Sequence, residues 1–232
     1  MAFNNNVVVV TGGTGALGQA VTQAFLQAGA RVAITYTRET EFDALKEKVG
    51  ARENLLGLET NVLDEASVKA MVQQAGRLGS LDVLVNTVGG FLGGVSIAET
   101  TLEQFEKMLA LNLKSAFLCC KYVFPVMIQQ RSGCIINIAS KGGLQGGEGI
   151  FAYGASKAGL INFTQSLAAE GKRHNITANA IIPGTIDTPA NRQAMPSANF
   201  AEWVTPAALA QTILFLASAA AQAINGATIP VG

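Results

Sequence analysis

Short runs of apolar, largely β-branched residues alternate along this chain with longer stretches in which apolar residues recur at helical spacing. The longer stretches predict helices over residues 19–28, from near Asp64, from about Thr101 towards Phe124 with an end by Pro125, around Tyr153, and from about Pro206. The short runs predict strands at residues 6–11, 31–36, 55–60, 81–86, 133–139, 176–183 and 227–231. Strands that are apolar throughout and separated by helices are typical of a parallel sheet covered on both faces. The pattern predicts an α/β fold with a doubly wound parallel sheet of about seven strands.

No linker, repeat or low-complexity segment interrupts this alternation, so residues 1–232 are predicted to form a single domain. Apolar residues make up 49% of the chain and charged residues 14%, which suits a sheet buried on both faces. The 16 basic residues balance the 16 acidic ones, so no charge excess indicates nucleic acid or an anionic membrane as a partner.

The start of the chain has no basic segment followed by a cleavage site, and the longest apolar runs carry Gln, Lys or Glu. Three cysteines, Cys119, Cys120 and Cys134, have no metal-ligand spacing and are expected to be core thiols in a reducing compartment. We therefore expect a cytoplasmic protein without a membrane helix or a metal site.

A glycine-rich turn follows the first predicted strand and opens a helix. Gly13, Gly15 and Gly18 match the spacing G-x-G-x-x-G, which is strong evidence only in this strand–turn–helix context. Glycines let the backbone approach a pyrophosphate, and the N-terminus of a helix offers free N–H groups and partial positive charge. The turn therefore predicts a Rossmann-type dinucleotide site.

The end of the second strand bears on which dinucleotide binds. An acidic residue there would bind the ribose 2′-hydroxyl and repel a 2′-phosphate, but the chain has Tyr36, Thr37 and Arg38. Arg38 could pair with a 2′-phosphate, and Thr14 or Thr37 could add a hydroxyl donor. NADP(H) is favoured, with NAD(H) as the alternative if Arg38 is only a solvated residue at the start of a helix.

Tyr153 stands four residues before Lys157, a spacing that places both on one face of a helix. Such a pair also occurs by chance, and the rest of the chain must decide whether it carries chemistry. The Thr-Gly-rich turn, Asn86 to Gly89, Asn112, Ser140, the Tyr153–Lys157 pair and Pro183-Gly184 with Thr188 stand in one characteristic order. With these motifs, the sequence resembles the short-chain dehydrogenase/reductase family over essentially its whole length.

The resemblance implies a nicotinamide cofactor and assigns site residues. Asn112, Ser140, Tyr153 and Lys157 correspond to the family's catalytic residues. Ala16 replaces the most common glycine of the turn, and Asn61-Val62 stands where Asp-Val is usual near the adenine. The residues implied in cofactor binding are Gly12, Thr14, Gly15, Ala16, Leu17, Gly18, Thr37, Arg38, Asn61, Val62, Asn86, Gly89, Tyr153, Lys157, Pro183, Gly184, Ile186 and Thr188.

In such a site Tyr153 would exchange a proton with the substrate oxygen. A free phenol has a pKa near ~10, and an ammonium a few ångströms away could lower it towards 7. The resemblance implies that Lys157 also binds the nicotinamide ribose and that Ser140 holds the substrate oxygen. Asn112 would support a water relay to Lys157, or would be a buried residue at a helix irregularity.

The segment 187–206 resembles the substrate lid of dihydropteridine reductase, so a lid is expected at about 185–206. That enzyme prefers NADH, carries Asp where this chain has Tyr36, and lacks the serine that Ser140 supplies. Three functions follow: an NADP(H)-dependent carbonyl/alcohol oxidoreductase, a quinonoid dihydropteridine reductase, and a catalytically idle NAD(P)-binding sensor or scaffold. Phe91 and Trp203 could form stacking walls for a flat carbonyl or pterin-like substrate, or could be core residues.

The helices of residues 101–124 and around Tyr153 carry apolar residues on nearly all sides. One face of each can cover the sheet, and the other indicates packing between subunits. A homodimer or homotetramer is therefore expected.

Overall fold

The computed structural model describes residues 2–50 and 53–232, and in this part of the chain seven strands form one sheet. Their order is β3-β2-β1-β4-β5-β6-β7, and all neighbouring strands are parallel. The sheet confirms the predicted fold class. The strands are β1 (Val7–Thr11), β2 (Arg31–Tyr36), β3 (Leu55–Glu59), β4 (Leu81–Asn86), β5 (Gly133–Ile138), β6 (Ile176–Pro183) and β7 (Thr228–Val231).

Helices cover both faces of the sheet. Side chains of α1, α2 and α8 pack on one face, and side chains of α3, α5 and α6 pack on the other. Val8 and Val10 of β1 face the first layer, whereas Val7 and Val9 face the second, and all four are fully buried. The α-helices are α1 (Ala16–Gln27), α2 (Glu39–Val49), α3 (Glu65–Ala75), α4 (Leu102–Leu109), α5 (Ser115–Gln130), α6 (Phe151–Gly171), α7 (Pro189–Ala194) and α8 (Pro206–Leu216).

The predicted long helix is in fact two helices joined by a π-helical turn, Ala110–Lys114. The first helix, α4, begins directly after Thr101, close to the predicted start, and the Thr101 side chain caps it by accepting a hydrogen bond from the Gln104 N–H. The predicted end by Pro125 is wrong, since α5 continues to Gln130 with the proline inside it. A proline in a helix interior costs roughly 3 kcal/mol, and here its neighbours Phe124 and Met127 are buried in the core.

The segment Leu102–Gln130 has a mean hydropathy of 1.3 and is long and apolar enough to cross a membrane by length and composition alone. Half of that apolar stretch is buried inside the protein, as is usual for a helix of a packed core.

Two other helix starts bear on the site. Helix α1 begins at Ala16, three residues earlier than predicted, so the glycine turn leads directly into its first turn. Helix α3 begins after Asp64, whose carboxylate accepts a hydrogen bond from Ser67 N. Because the strand order reverses beside β1, the carboxyl ends of β1 and β4 flank the position where ligands bind in doubly wound sheets.

Candidate active site

The glycine turn is held against the end of β2. Gly12 N donates to the Thr35 hydroxyl at 2.8 Å, and Gly13 N donates to the Thr35 carbonyl at 3.0 Å. Gly12 has a φ of +64°, a left-handed conformation that favours glycine. A Cβ at Gly18 would lie only 2.1 Å from the Gly12 oxygen, so close helix–strand packing requires glycine there. The turn thus holds the N-terminus of α1 directly after β1.

Backbone N–H groups at this helix start are available to a ligand. Gly15 is the N-cap of α1, and Ala16, Leu17 and Gly18 form its first turn, where N–H groups have no intrahelical acceptor. Among the described residues, a Cβ at Gly15 would meet only the Gly12 oxygen within 4 Å, at 3.3 Å. The space above the turn is open, as a pyrophosphate would require.

The residues predicted to contact a 2′-phosphate do lie near one another. The Thr14 hydroxyl donates to Glu41 Oε2 at 3.1 Å, and the Arg38 guanidinium pairs with Glu41 Oε1. Arg38 is the N-cap residue of α2, and its side chain is 74% exposed. Thr37 is exposed at the same turn. The prediction did not include Glu41, the residue that joins Thr14 to Arg38.

Asn61 and Val62 follow β3. The Asn61 side chain accepts a hydrogen bond from Leu63 N at 3.0 Å, which shapes the turn before α3, and Val62 is buried in the core. Asn86, at the end of β4, donates through its side chain to Asn137 Oδ1 at 2.8 Å. Its amide nitrogen also lies 3.6 Å from the Cys120 sulfur of α5, so the Asn86 side chain is held inside the protein.

The segment after β6 lies beside the chain end. Gly184 N donates to the Val231 carbonyl at 2.9 Å, which joins the Pro183-Gly184 turn to the last strand. Thr188 is the N-cap of α7, and its hydroxyl accepts a hydrogen bond from Asn191 N at 3.1 Å. Asn191 in turn donates to the Ile186 carbonyl at 2.8 Å. This network gives residues 186–191 a defined conformation.

Ser140, Tyr153 and Lys157 come together at the carboxyl end of β5. Ser140 begins the loop two residues after β5, and its hydroxyl accepts a hydrogen bond from Gly142 N at 3.3 Å. The Ser140 hydroxyl lies near enough to the Tyr153 phenol to lower its pKa through a hydrogen bond. Lys157 lies one turn further along α6, with its ammonium 6.0 Å from the centre of the Tyr153 ring. Serine and phenol therefore share one site, with an ammonium behind them.

Burial dominates the ionisation of both groups in α6. It raises the pKa of Tyr153 above 10.0, although the hydrogen bond with Ser140 acts in the opposite direction. The expected fall of this pKa towards 7 is therefore absent from the protein as it stands. Burial also lowers the pKa of Lys157 from 10.5 to about 8, because little water remains to solvate its charge. The ammonium donates instead to the Ile138 carbonyl at 2.7 Å.

Asn112 lies in the π-helical turn and is almost fully buried. Its side chain accepts from Gly90 N at 2.9 Å and donates to the Gly90 carbonyl and to the Ser156 hydroxyl, both at 3.0 Å. Both amide protons are thus engaged, so a relay through Asn112 would have to use its backbone carbonyl. Asn112 is therefore a buried asparagine at a helix irregularity, and its part in a water relay stays a prediction.

Gly89 separates Asn112 from Lys157. A Cβ at Gly89 would stand 2.8 Å from Asn112 Oδ1 and 3.4 Å from the Lys157 ammonium. Any side chain at this position would therefore clash with the Asn112 amide oxygen and contact the Lys157 ammonium. The loop after β4 can consequently approach α6 closely because Gly89 has no side chain.

Phe91 borders this site, whereas the side-chain hydrogen bonds and ring contacts that the structure describes for residues 187–203 lie within the predicted lid itself. Phe91 is 69% exposed, and its ring lies edge-on to the Tyr153 ring with 5.0 Å between centroids. In the lid, Arg192 donates to both carboxylate oxygens of Asp187 at 2.5 and 2.8 Å and lies over the Phe200 ring. Trp203 packs on Phe200 with 4.7 Å between centroids. Phe91 therefore lines the catalytic end, whereas Trp203 contacts another lid residue.

Sequence reasoning missed Glu41, Ser156, Gly90 and the Ile138 carbonyl. An acidic residue in the first turn of a helix after the second strand is a weak signal for Glu41. The others act through backbone atoms or a common hydroxyl, and no motif marks them.

The chain was compared with known proteins. A family model described as short chain dehydrogenase matches residues 6–199. The 3-oxoacyl-[acyl-carrier-protein] reductase FabG of Thermotoga maritima is 33% identical over 241 residues, covering 100% of this chain and 98% of the relative. The 2-(R)-hydroxypropyl-CoM dehydrogenase of Xanthobacter autotrophicus is 32% identical, covering 97% of this chain and 96% of the relative.

Solved structures of similar sequence have the same fold as this chain. The crystal structure of levodione reductase superposes with a TM-score of 0.92 at 28% identity, covering 99% of this chain and 96% of that chain. The structure of gox2181 gives the same TM-score at 31% identity, covering 99% and 95%. The family match, the relatives and the fold together show that this chain belongs to the short-chain dehydrogenase/reductase family and is an NAD(P)-dependent oxidoreductase.

Proposed function

We propose that the protein transfers hydride between NADP(H) and a small carbonyl or alcohol substrate, with reduction of a ketone as its main reaction. One observation carries this proposal. A hydroxyl, Ser140, and a phenol, Tyr153, lie beside each other and beside the buried ammonium of Lys157, at the end of the sheet where ligands bind. Two adjacent O–H groups suit a substrate oxygen that gains negative charge.

Each residue has a role in the reduction. Bound NADPH would supply the hydride to the carbonyl carbon. The Ser140 hydroxyl accepts the Gly142 N–H, and its own proton would turn from the Tyr153 phenol to the substrate oxygen when substrate binds. Tyr153 gives its proton to that oxygen as the C=O π bond is replaced by a C–H bond, and an alcohol leaves. Burial raises the pKa of Tyr153, so the phenol is protonated at neutral pH and holds the proton that this direction of the reaction needs.

Lys157 supports both the phenol and the cofactor. Its ammonium is buried beside Tyr153 and stabilises the phenolate that remains after proton transfer. The side chain would also bind the nicotinamide ribose. Asn112 holds Gly90 and Ser156 in place and so acts as a positioning residue for the loop after β4.

The cofactor fits the residues around the glycine turn. Free N–H groups at the start of α1 would hold the pyrophosphate, and the open space above Gly15 would admit it. Asn61 and Val62 would border the adenine, and Pro183, Gly184, Ile186 and Thr188 would border the nicotinamide. We propose NADP(H) as the preferred form because Arg38 and the Thr14 hydroxyl lie together at the end of β2.

The names of two relatives support a carbonyl/alcohol substrate, since one reduces a 3-oxoacyl group and another is a hydroxypropyl-CoM dehydrogenase. Neither alternative function is favoured. The pterin function depends on the lid resemblance alone. An idle nucleotide-binding protein would be expected to lack part of the Ser140, Tyr153 and Lys157 set, which is present.

We also propose a cytoplasmic homodimer or homotetramer of single-domain subunits. Three buried free thiols suit a reducing compartment. Phe117 of α5 is 45% exposed and lies on Phe163 of α6 with 6.2 Å between ring centroids, so the apolar face of these helices supports subunit packing. Light scattering coupled to size exclusion measures the subunit number, and a monomer at micromolar concentration would overturn the proposed assembly.

A steady-state screen tests the function. Purified protein is offered small ketones, a 3-oxoacyl thioester and quinonoid dihydropterin with NADPH or NADH, and oxidation of the cofactor is followed at its absorbance. The Tyr153→Phe variant, purified in the same way, controls for contaminating reductases. We expect ketone reduction that is lost in the variant. Activity restricted to the pterin would overturn the proposed substrate class.

A further inference from the structure

The two donors expected to bind a 2′-phosphate already bind a carboxylate of the protein. Glu41 Oε2 accepts the hydrogen bond of the Thr14 hydroxyl at 3.1 Å, while Glu41 Oε1 pairs with the Arg38 guanidinium. Each donor thus uses a different oxygen of one carboxylate. Glu41 lies between the glycine turn and the start of α2 and joins them.

Helix α2 keeps Glu41 in this position. Glu41 lies in the first turn of α2, where the N-terminus of a helix favours negative charge. The next residue, Phe42, stacks on Tyr36 at the end of β2, with 5.0 Å between ring centroids and 5° between ring planes. This contact fixes the start of α2 against the sheet. The Glu41 carboxylate can therefore move away from Thr14 and Arg38 only if its own side chain changes rotamer.

A 2′-phosphate and Glu41 would compete. A phosphate monoester carries about −1.5 to −2 charge at pH 7 and needs the same two donors. It would either displace the carboxylate from Arg38 and Thr14 or bind beside it against like-charge repulsion. A ribose 2′-hydroxyl has no such conflict, because it can donate a hydrogen bond to a carboxylate.

We infer that Glu41 is a cofactor-specificity residue that weakens binding of the 2′-phosphate and accepts the 2′-hydroxyl of NAD(H). This inference rests on the proposed function. Arg38 favours NADP(H), and Glu41, supplied from α2 rather than from the strand end, limits that preference. The difference in affinity between NADP(H) and NAD(H) is therefore smaller than it would be with Arg38 and without Glu41.

Direct nucleotide binding tests this role without activity. Isothermal titration calorimetry measures the Kd of NADP⁺ and NAD⁺, which differ only in the 2′-phosphate, for the wild type and for Glu41→Gln. The glutamine keeps the size and the acceptor oxygen of the side chain but removes its charge. Glu39→Gln is the matched control, because Glu39 carries the same charge on the first turn of α2 and is exposed. Thermal unfolding of each variant verifies that it is folded.

We expect Glu41→Gln to lower the Kd of NADP⁺ about tenfold relative to the Kd of NAD⁺. A change of this size is typical of one contact with a charged group. Glu39→Gln should change the ratio less than about threefold, as an exposed charge at longer range does. An unchanged ratio in Glu41→Gln, or an equal change in both variants, would overturn the role of Glu41 alone. A folded wild type that binds neither nucleotide would overturn the proposed function itself.

Discussion

The ammonium of Lys157 donates a 2.7 Å hydrogen bond to the backbone carbonyl of Ile138, the last residue of β5. This contact joins the middle of α6 to the strand that leads to Ser140. Burial is the largest influence on the pKa of Tyr153 and raises it, so the phenol does not have the low pKa that its spacing from Lys157 indicates.

Replacement of Lys157 by methionine should lower turnover by at least about a hundredfold and also weaken nucleotide binding. The change keeps the length of the side chain but removes the charge beside Tyr153 and a contact expected for the cofactor ribose. Steady-state kinetics and calorimetry with NADP⁺ measure the two effects. Lys172→Met, at the exposed end of the same helix, is the control. Unchanged nucleotide affinity would disprove the second role.

The stability of the protein should depend on pH through Lys157. Its folded pKa of about 8 lies below the ordinary 10.5, so the unfolded chain binds more protons between these values. The unfolding free energy contributed by Lys157 therefore rises with pH across this window. From pH 7 to pH 9.5, the wild type should gain about 2 kcal/mol relative to Lys157→Met.

Urea unfolding of both proteins at several pH values measures this gain. Burial raises the pKa of the thiols of Cys119, Cys120 and Cys134, so these groups lower the unfolding free energy as pH rises. Both proteins contain all three thiols. Their contribution therefore cancels in the difference. Parallel stability curves for wild type and variant would show that the Lys157 pKa is not depressed.

Tyr153→Phe should reduce turnover by at least about a hundredfold, because a lost general acid typically costs 10²–10⁴-fold. Nucleotide affinity should change little, since the ring and its packing against Phe91 remain. Turnover with a ketone from pH 6 to pH 9 is the measurement. Near-normal turnover of the variant across this range would refute the assignment of Tyr153 as the proton donor.

Ser140→Ala should distinguish the two reductase functions. A ketone oxygen becomes an alkoxide, so loss of the adjacent hydroxyl donor should lower ketone turnover by about 10²-fold. A quinonoid pterin accepts hydride into a conjugated ring that spreads the charge, and its reduction should stay within a few-fold of normal. Removing the hydrogen bond that lowers the pKa of Tyr153 should also raise that pKa further. Equal losses with both substrates would mean that Ser140 only shapes the site.

Arg38→Ala should weaken the binding of NADPH much more than the binding of NADH. Loss of a charge-assisted contact with phosphate corresponds to roughly 1.5–3 kcal/mol, or about 10–100-fold in affinity. The variant also leaves the Glu41 carboxylate without its cationic partner, which adds repulsion against the 2′-phosphate. Fluorescence titration with both reduced cofactors measures the change. A wild type with equal affinities for the two would contradict the proposed preference.

Local patterns predicted the elements well where burial determines them. The valine run of β1 is apolar on both faces because helices cover both faces, so its position could be identified without knowing its neighbours. The glycine turn is largely local, because Gly12 has a left-handed φ and a Cβ at Gly18 would meet the Gly12 oxygen, although Gly13 is required by the Ile34 side chain of β2. Pro125 was misinterpreted, since packing around it outweighs the preference of proline for helix ends.

By itself the sequence determined the fold class, which depends on side-chain periodicity, and predicted the dinucleotide-binding turn from spacing within one segment. Its resemblance to the family identified Ser140, Tyr153 and Lys157 as the candidate catalytic set. Only the tertiary structure decided which groups these residues contact. The pairing of Glu41 with Thr14 and Arg38 and the bond from Lys157 to Ile138 join separate segments. Such contacts, and the desolvation that sets the pKa values of Tyr153 and Lys157, depend on how crossovers bring distant residues together and exclude water.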